Sequence, residues 1–462
     1  MIQIRELKFF RQYKKERQQV LDIAEAIFEA GQFYLLKGDS GSGKSTLLRL
    51  LGGFAPLEYE GQILTAGRKE LRQLTITQRA QAAGMLFQNP ARQFTMGSLR
   101  RELVFALENI GLAAEEIVRR LAQAAAACGT EALLDRPFHC LSGGEKQRCG
   151  LTVLLAMDPP LLLLDEPFAS VDPASRRRFI AKLAQLRDSG KTILLADHDY
   201  SGYDGIVDRV LVLSEGHLQE ENPQLLPQTV QGTRLSDISA EAGTTSLQLA
   251  RVGYGFDKRR PLLADCDFSF GKGITTITGP NGCGKSTLFR SVMQLERYRG
   301  QFFYENRKLR KGAGLYSSLS LAVQEAQQQF TGLTVAEELA SYGWQFEKLS
   351  SWQQDALVQL RLADKLQHSV FHLSEGQKKM VQLLGMLALP LSCLLLDEPF
   401  TGLDEAACRF FAIKLAARQE KQDFLVISHR LAPLAGISRH HAVYNAELAL
   451  LQQVRDSEVK AG

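Results

Sequence analysis

Two glycine-rich loops, each ending in a lysine and a serine, hold the residues of this chain best able to do chemistry. The loops are Gly38-Asp39-Ser40-Gly41-Ser42-Gly43-Lys44-Ser45-Thr46 and Gly279-Pro280-Asn281-Gly282-Cys283-Gly284-Lys285-Ser286-Thr287. Both fit G-x-x-x-x-G-K-[ST], in which backbone N–H groups surround phosphates, the lysine reaches the β and γ phosphates, and the hydroxyl helps hold Mg²⁺. A chance match is expected on the order of once per hundred chains of this size. Two matches therefore indicate nucleotide binding.

An apolar segment that ends in two acids follows each loop. Leucines precede Asp165-Glu166, and leucines again precede Asp397-Glu398. Such a run predicts a parallel strand buried on both faces, with its carboxyl end at the ligand crevice. We expect Asp165 and Asp397 to bind Mg²⁺, and Glu166 and Glu398 to polarise the attacking water as general bases.

Two histidines stand at the ends of further apolar segments. His198 follows Thr-Ile-Leu-Leu-Ala-Asp and His429 follows Phe-Leu-Val-Ile-Ser. The repeated position favours a contact with the γ-phosphate. The other six histidines, including His440 and His441, lack this context and are expected at the surface or in packing.

The motifs repeat in the same order, so their elements must repeat too. Lys285 lies 241 positions after Lys44, whereas His429 lies 231 positions after His198. This spacing indicates a duplicated domain rather than a short-repeat array. We predict domains over residues 1–221 and 247–462, joined by a linker over 222–246. In each, an apolar strand precedes the glycine loop and a helix follows it.

A third motif precedes each acidic strand. Leu141-Ser142-Gly143-Gly144-Glu145 and Leu373-Ser374-Glu375-Gly376-Gln377 resemble the signature of ATP-binding-cassette (ABC) proteins. The resemblance covers nearly the whole chain. It implies an α/β fold with two tandem P-loop NTPase domains, each with a RecA-like parallel-sheet core, an antiparallel β subdomain and a helical signature subdomain. The implied ligands are ATP and Mg²⁺.

The resemblance also assigns roles to single residues. Gln88 and Gln324 would sense the nucleotide and help hold Mg²⁺, and Asp172 and Asp404 would lie in the turns after the acidic strands. In ABC proteins two domains close head to tail, which here would form an intrachain pseudo-dimer. Site one would combine Lys44, Glu166 and His198 with Ser374 and Gly376. Site two would combine Lys285, Glu398 and His429 with Ser142, Gly143 and Gly144.

Some positions depart from the family pattern or leave a choice open. Glu375 replaces the first signature glycine of the second copy, so mild repulsion of the γ-phosphate would make site one slower, against an equally open reading of two competent sites. For adenine stacking we favour Phe256 over Tyr254 in the second copy. Phe10 and Tyr13 compete in the first. Cys283 would make site two sensitive to thiol reagents.

The segments after the two glutamines suggest a subclass. Gln88-Asn89-Pro90-Ala-Arg-Gln93-Phe94 resembles the Q-N-P-x-x-Q-F sequence of energy-coupling-factor importers of vitamins and transition-metal ions, and the second copy keeps only Gln and Gln-Phe. The resemblance implies two partners, a transmembrane coupling protein and a substrate-binding membrane protein. Phe94 and Phe330 would line a partner groove or simply pack. Glu102, Glu337 and Glu338 would receive a basic coupling helix or be solvated.

Composition bounds these expectations. A net charge of +4 over 462 residues gives no reason to expect nucleic-acid binding. Seven scattered cysteines favour a reducing compartment. The N-terminus suits an edge strand rather than a leader, and the longest apolar run, 383–396, is shorter than the ~20 residues of a membrane span. Basic runs such as Arg176-Arg-Arg are expected to be solvated. We expect the protein at the cytoplasmic face of the cell membrane.

Rival functions are a tandem sugar-importer ATPase and a soluble translation-associated ABC ATPase. The first does not account for Q-N-P-x-x-Q-F, and the second is associated with a long basic linker, whereas residues 222–246 lean acidic.

Overall fold

The computed structural model describes most of the chain and divides it into two compact units, Met1–Val230 and Gln231–Gly462. The described residues are 2–13, 16–54, 58–65, 67–88, 93–141, 143–168, 171, 173–225, 245–255, 261–445 and 450–453.

The first unit contains nine strands and six helices within its described residues. The strands are β1 (Ile2–Tyr13), β2 (Glu16–Phe28), β3 (Phe33–Lys37), β4 (Tyr59–Leu64), β5 (Ala83–Leu86), β6 (Leu161–Asp165), β7 (Thr192–Ala196), β8 (Arg209–Ser214) and β9 (His217–Glu221). The helices are α1 (Lys44–Leu51), α2 (Ile76–Ala82), α3 (Leu99–Asn109), α4 (Ala114–Cys128), α5 (Gly143–Met157) and α6 (Pro173–Asp188).

A six-stranded sheet in the order β5-β6-β7-β3-β8-β9 forms the centre of this unit. Five strands are parallel, and β9 pairs antiparallel with β8. The leucine strand β6 is buried along its whole length, as its composition predicts. Because parallel strands share one carboxyl edge, the ends of β3, β6 and β7 bring the glycine loop, the acids and His198 to the same edge.

The N-terminal segment lies in the middle of a second sheet. This antiparallel sheet has the order β2-β1-β4, so β1 is a central strand and the expectation of an edge strand was wrong. Ile2, Ile4, Leu7 and Phe9 are all buried, and the alternation shifts by one residue between Ile4 and Leu7, where the pairing with β4 is irregular. One edge of β1 pairs with β2, and the other edge pairs with β4, which lies about fifty residues further along the chain. The apolar pattern of β1 itself does not reveal this distant partner.

A helical subdomain completes the first unit. Leu103 of α3, Leu121 of α4 and Val153 of α5 belong to one buried apolar cluster. Helix α5 begins at the signature sequence, so this cluster fixes the direction in which the signature helix points.

The second unit contains ten strands and six helices within its described residues. The strands are β10 (Thr245–Tyr254), β11 (Leu263–Gly271), β12 (Ile274–Thr278), β13 (Arg299–Tyr304), β14 (Arg307–Lys308), β15 (Leu319–Ala322), β16 (Cys393–Asp397), β17 (Asp423–Ile427), β18 (His440–Asn445) and β19 (Leu450–Gln453). The helices are α7 (Lys285–Val292), α8 (Ala313–Tyr316), α9 (Val335–Ser341), α10 (Ser351–Gln359), α11 (Glu375–Ala388) and α12 (Glu405–Ala416).

The second unit repeats the topology of the first. Its central sheet has the order β15-β16-β17-β12-β18-β19, with only β19 antiparallel. Its antiparallel sheet has the order β11-β10-β13-β14, one strand more than in the first unit. The predicted α/β class, with two parallel-sheet cores, antiparallel β subdomains and helical subdomains, is confirmed. Among the described residues no helix is both long and apolar enough to cross a bilayer.

Candidate nucleotide sites

Each glycine loop turns from a central strand into a helix that begins at the lysine. In the first unit Lys44 Nζ donates to the carbonyl oxygens of Gly38 at 2.7 Å and Asp39 at 3.0 Å. Lys285 Nζ makes the same contacts with Gly279 at 2.7 Å and Pro280 at 2.8 Å. Each ammonium group thus bonds to the backbone of its own glycine loop. It lies at a helix N-terminus, where N–H groups favour binding of an anion such as phosphate.

The glycine before each lysine is required by backbone geometry. Gly43 has φ 104° and Gly284 has φ 109°, a left-handed region that side chains rarely adopt. A Cβ on Gly284 would come within 3.0 Å of Leu262. The loop therefore needs glycine for both its conformation and its close packing.

The serine after each lysine meets the first acid of the acidic strand. Ser45 Oγ donates to Asp165 Oδ1 at 2.9 Å, and Ser286 makes a side-chain hydrogen bond with Asp397. Burial, together with the charge of Glu166, raises the pKa of Asp165 to about 6. Burial likewise raises the pKa of Asp397. Lys44 and Arg49 beside Asp165, and Lys379 and Lys285 beside Asp397, act in the opposite direction but do not outweigh burial.

These acids fit a magnesium ion. Asp165 Oδ2 and Asp397 Oδ1 are buried and have no hydrogen-bond partner, so each offers an oxygen that a cation or its water would satisfy. No group of three or more His, Cys, Asp or Glu side chains able to hold a metal occurs in the described ranges. Mg²⁺ prefers one or two protein oxygens plus phosphate oxygens and water, which matches one serine and one aspartate at each site. When bound, it neutralises charge on the phosphates.

The second acid of each pair adopts a strained backbone. Glu166 has φ 47° and Glu398 has φ 49°. Their N–H groups donate to the end of the neighbouring strand, to Ala196 O at 2.8 Å and Ile427 O at 2.9 Å. Left-handed glutamates are uncommon and cluster at functional sites. The turn aims both side chains along the carboxyl edge of the sheet.

The histidines reach these acids in two different ways. His198 Nε2 lies 3.1 Å from Glu166 Oε1. His429 Nε2 lies 3.6 Å from Glu398 Oε1, and it hydrogen-bonds instead to Asn281 Oδ1 at 2.9 Å. The backbone N–H of His429 donates to Glu398 Oε2 at 3.2 Å. The second histidine is therefore tied to its own glycine loop.

Because Glu166 and Glu398 have different partners, their pKa values shift in opposite directions. Burial raises the pKa of Glu166, but His198 and Lys44 outweigh it, so the net pKa is lowered. Burial and the charge of Asp397 raise the pKa of Glu398 to about 8. The two sites share residue types but differ in how firmly their acids hold a proton.

The two glutamines also differ. Gln88 Nε2 donates to Glu166 Oε2 at 2.7 Å, which places it in the first site. The backbone oxygen of Gln324 accepts from Lys379 Nζ at 2.8 Å. Burial lowers the pKa of Lys379 to about 8, while Asp397 and Glu398 act in the opposite direction. Sequence reasoning missed Lys379, since a lysine on a helix is ordinarily a surface residue.

A buried network behind His198 was also missed. Asp197 accepts from the His198 N–H at 2.7 Å and from the Tyr203 hydroxyl at 2.7 Å. Arg176 donates to the same carboxylate at 3.2 Å. The expectation that the whole basic run at Arg176 is solvated was thus wrong for its first member. This network fixes the turn that presents His198.

The signature residues stand at helix starts. Ser374 caps α11 and accepts from the N–H of Gln377 at 3.2 Å, and Gly376 is buried in the first turn. Gly143 and Gly144 open α5. The predicted site residues Ser142, Asp172 and Phe256 lie outside the described residues.

Other predicted residues turn out to have structural partners. Glu375 lies 2.9 Å from the buried Lys378 Nζ, so its charge is balanced within its own helix. Asp404 caps α12 by accepting from Ala407 N–H at 2.8 Å. Cys283 is buried, and burial raises its pKa, which argues against the expected thiol sensitivity.

The aromatic candidates for adenine stacking divide similarly. Tyr254 is buried, and its hydroxyl donates to Gly284 O at 3.1 Å and hydrogen-bonds to Tyr444. Its ring is thus part of the core. The ring of Phe10 lies 3.9 Å from the Arg17 guanidinium. The side chain of Tyr13 lies outside the described part.

Two of the acids expected to receive a partner helix are internal. Glu102 accepts from the N–H groups of Thr95 and Met96. Glu338 does the same for Thr331 and Gly332. Both are buried, so a direct role in docking was the wrong interpretation, whereas Glu337 is exposed. Phe94 stacks on Phe138 with ring centroids 3.8 Å apart, and Phe330 packs on the core, which favours the packing alternative.

Comparisons with known proteins agree with this architecture. A "Putative ABC transporter ATP-binding protein" of Sulfurisphaera tokodaii is 30% identical over 92% of this chain and 92% of its own length. A "Putative HMP/thiamine import ATP-binding protein YkoD" of Bacillus subtilis is 26% identical over 93% of this chain and 87% of its own. A chain from the crystal structure of archaeal ribosomal stalk protein aP1 with archaeal ribosome recycling factor aABCE1 aligns with a TM-score of 0.64 at 19% identity. It covers 97% of this chain and 90% of that one, and shows a shared fold.

The ABC transporter family matches residues 21–169 and 263–401, more than half of the chain. Both glycine loops and both acidic strands fall inside these ranges. ATP with Mg²⁺ is the ligand of this family and ATP hydrolysis is its reaction. The chain therefore belongs to the ABC transporter family and carries two of its ATPase cassettes.

Proposed function

We propose that the two cassettes hydrolyse ATP at composite sites and energise import by a separate transmembrane complex, an energy-coupling-factor importer of a vitamin or a transition-metal ion. The first cassette is proposed to span residues 1–221 and the second residues 247–462, joined by a linker over 222–246. The partners are a transmembrane coupling protein and a substrate-binding membrane protein. Together they hold the chain at the cytoplasmic face of the membrane, without nucleic acid.

The arrangement of each half-site supports ATP hydrolysis. A lysine inside a glycine loop, a serine bonded to a buried aspartate and a strained glutamate lie at one sheet edge in both cassettes. Ser374, at the start of α11, offers a hydroxyl and helix N–H groups to a γ-phosphate. Each cassette thus has a phosphate-binding loop with its acids at one place and a signature serine at another. This separation suits ATP sites in which the signature of one cassette completes the glycine loop of the other, with site one and site two composed as the family resemblance implies.

A crossed set of variants tests the composite sites. Ser374→Ala removes the hydroxyl that site one would use. It is expected to slow the Glu398→Gln protein, which relies on Glu166, about a hundredfold or more, in line with the loss of one oxyanion-stabilising donor. The Glu166→Gln protein, which relies on Glu398, should slow far less. Equal slowing in both backgrounds would count against composite sites.

The observation that carries the import proposal is the likeness to a protein named for HMP/thiamine import along nearly its whole length. The glutamine segments are consistent with it. Gln93 Nε2 donates to Met85 O at 2.9 Å, and Gln329 Nε2 donates to Leu321 O at 2.7 Å. The Gln of the Gln-Phe pair thus holds the same turn in each cassette, directly beside the nucleotide-sensing glutamine.

A soluble, translation-associated ATPase is the second candidate. Its support is the fold shared with the ribosome recycling factor over 97% of this chain. At 19% identity that likeness concerns the fold alone. A tandem sugar-importer ATPase is the third, and it lacks a specific observation.

Affinity purification separates the candidates. The tagged chain, expressed in its own cells and extracted in mild detergent, is expected to retain two membrane proteins whose identities mass spectrometry would give. Density-gradient sedimentation of the same lysate would show ribosome association. Recovery with ribosomes, and without membrane proteins, would overturn the import proposal. Recovery with sugar-importer subunits would keep transport but reject the subclass.

A further inference from the structure

We propose that Lys379 and Gln382 are positioning residues that fasten the Gln324 loop of the second cassette to its own signature helix, so that nucleotide sensing and the signature motif move together. This inference rests on the part of the proposed function that places Gln324 at a nucleotide and Ser374 at the γ-phosphate of the other site. It does not depend on import.

Both side chains arise from α11 and hold the same short stretch of backbone. Lys379 Nζ donates to Val323 O at 3.1 Å and to Gln324 O at 2.8 Å. Gln382 Nε2 donates to Val323 O at 3.0 Å and also contacts Gln329 Oε1. Since Gln329 accepts from the Val323 N–H at 3.0 Å, both backbone groups of Val323 are engaged through this cluster.

Burial makes these bonds difficult to replace with water. Lys379 is 3% exposed and Gln382 is fully buried. A buried amide or ammonium left without its partner is strongly unfavourable, so the loop and the helix cannot separate without a compensating contact. Lys379 and Gln382 together make three hydrogen bonds to the backbone of Val323 and Gln324. The Gln324 loop and the second turn of α11 are therefore expected to move together.

The first cassette does not have the same fastening among its described residues. Aligning the two signatures places Gln147 opposite Lys379 and Gly150 opposite Gln382. Gln147 Nε2 donates to Glu166 O at 3.5 Å, at the end of the acidic strand, and Gly150 has no side chain. The corresponding helix face in the first cassette therefore reaches the acidic strand rather than the Gln88 backbone.

Because of this difference, the second cassette has a direct structural connection between its nucleotide-sensing Gln324 and its signature Ser374. Ser374 caps the same helix five residues before Lys379. A displacement of Gln324 on nucleotide binding would therefore be passed to Ser374, which would serve the opposite ATP site. In the part of the first cassette that the structure describes, Gln88 has no corresponding side-chain connection to α5. The coupling between sites is thus expected to run mainly from site two to site one.

Hydrogen–deuterium exchange with mass spectrometry on the full chain tests the connection. A Lys44→Ala background confines ATP to the second glycine loop, so that protection of α11 arises within the second cassette. Adding Mg²⁺ and ATP is expected to slow exchange in residues 319–330 and in the first turn of α11 together. In Lys379→Gln, which installs the residue of the first cassette, protection of residues 319–330 persists while protection of the α11 turn falls at least twofold.

Lys378→Gln is the matched control. Lys378 is equally buried on the same helix, but its ammonium bonds the side chains of Glu375 and Gln327 instead of loop backbone. Because Gln327 lies in the same 319–330 segment, this control compares a side-chain contact to the loop with the backbone contacts of Lys379. Loss of α11 protection as large as in Lys379→Gln would show that the backbone bonds of Lys379 are not the specific connection, and would overturn the proposal. Undiminished protection in Lys379→Gln would also overturn it.

Two further variants keep the test decisive if Lys379→Gln folds poorly. Lys379→Arg retains charge and donors, so joint protection should return. Gln382→Ala removes the second side-chain bond to Val323 while keeping a good helix former, and it should weaken the joint protection. Failure of the arginine variant to restore joint protection, with ATP affinity within twofold of the parent, would reject the positioning role. Because no membrane partner is used, the outcome is independent of the import proposal.

Discussion

Glu338 anchors the turn that leads into the helical subdomain of the second cassette. Its carboxyl group is fully buried and accepts from the N–H groups of Thr331 at 2.8 Å and Gly332 at 2.7 Å. Glu338→Ala deprives both N–H groups, on the exposed Thr331 and the half-buried Gly332, of this acceptor. Because each hydrogen bond to a carboxylate contributes about 1.5 kcal/mol, the free energy of unfolding should fall by about 3 kcal/mol.

The chain carries its own probe for this region. Its only two tryptophans, Trp344 and Trp352, both lie in this subdomain with ring centroids 5.6 Å apart. Their fluorescence during urea unfolding therefore reports on the second cassette. With a slope of about 3 kcal/mol per molar urea, the Glu338→Ala midpoint should drop by about 1 M.

Two variants serve as controls. Glu337→Ala changes the preceding acid, which is exposed and accepts from the N–H groups of Leu333 and Thr334 at the start of its own helix, so the loss should stay at about 1 kcal/mol. Glu102→Ala removes the matching carboxyl group from the first cassette, where there is no tryptophan, and should leave the fluorescence midpoint nearly unchanged while lowering stability by circular dichroism. If Glu338→Ala loses no more stability than Glu337→Ala, the carboxyl group is not the anchor inferred from the structure.

Three further predictions concern titration and reactivity. Native protein treated with iodoacetamide should be alkylated at the exposed Cys140, whereas Cys149, whose pKa burial raises to about 12, should stay unmodified in peptide mass spectra. The kcat/KM for ATP hydrolysis by Glu166→Gln, which relies on Glu398, should rise about tenfold from pH 7 to pH 9, because in the free enzyme a base with a pKa of about 8 changes from about one tenth to nine tenths ionised; the Glu398→Gln protein should show no such rise. Burial lowers the pKa of His441 to about 4, so the unfolded chain binds an extra proton between pH 4 and about 6.5. The free energy of unfolding should therefore fall by about 2 kcal/mol from pH 7 to pH 5, a loss that His441→Gln removes in urea titrations.

The chemistry at the sheet edge was predictable because it is encoded locally. A glycine loop needs left-handed residues at fixed spacing, as at Gly43, and a strand buried on both faces shows as the leucine run before Asp165. Parallel strands then bring these segments to one edge whatever the intervening sequence. The lysine, the serine and the acid of each cassette therefore lie at the same edge, as the sequence predicts.

Residues whose role depends on distant partners were not predictable in this way. Lys379 and Glu338 look like the polar face of a helix, yet both turn inward to backbone groups on separate segments. The same holds for Arg176 on α6, whose partner Asp197 directly follows β7. Hydrophobic periodicity shows which positions are apolar. It does not show which polar side chains form buried hydrogen bonds with groups from other parts of the chain.

The source of asymmetry between the two sites also changes once the contacts are known. The sequence placed it at Glu375, but the ammonium of Lys378 balances that carboxylate at 2.9 Å before it could repel a phosphate. The stronger difference lies at the glutamates themselves. Glu166 is paired with a histidine at 3.1 Å, whereas Glu398 is held by backbone while its histidine turns toward the glycine loop. In site one the base for the attacking water would be Glu166, which is ionised but already bonded to His198. In site two it would be Glu398, which is not paired closely with a histidine side chain but is less ionised. Unequal rates, if measured, should thus be sought first in the acid and histidine pairs, not in the signature motifs.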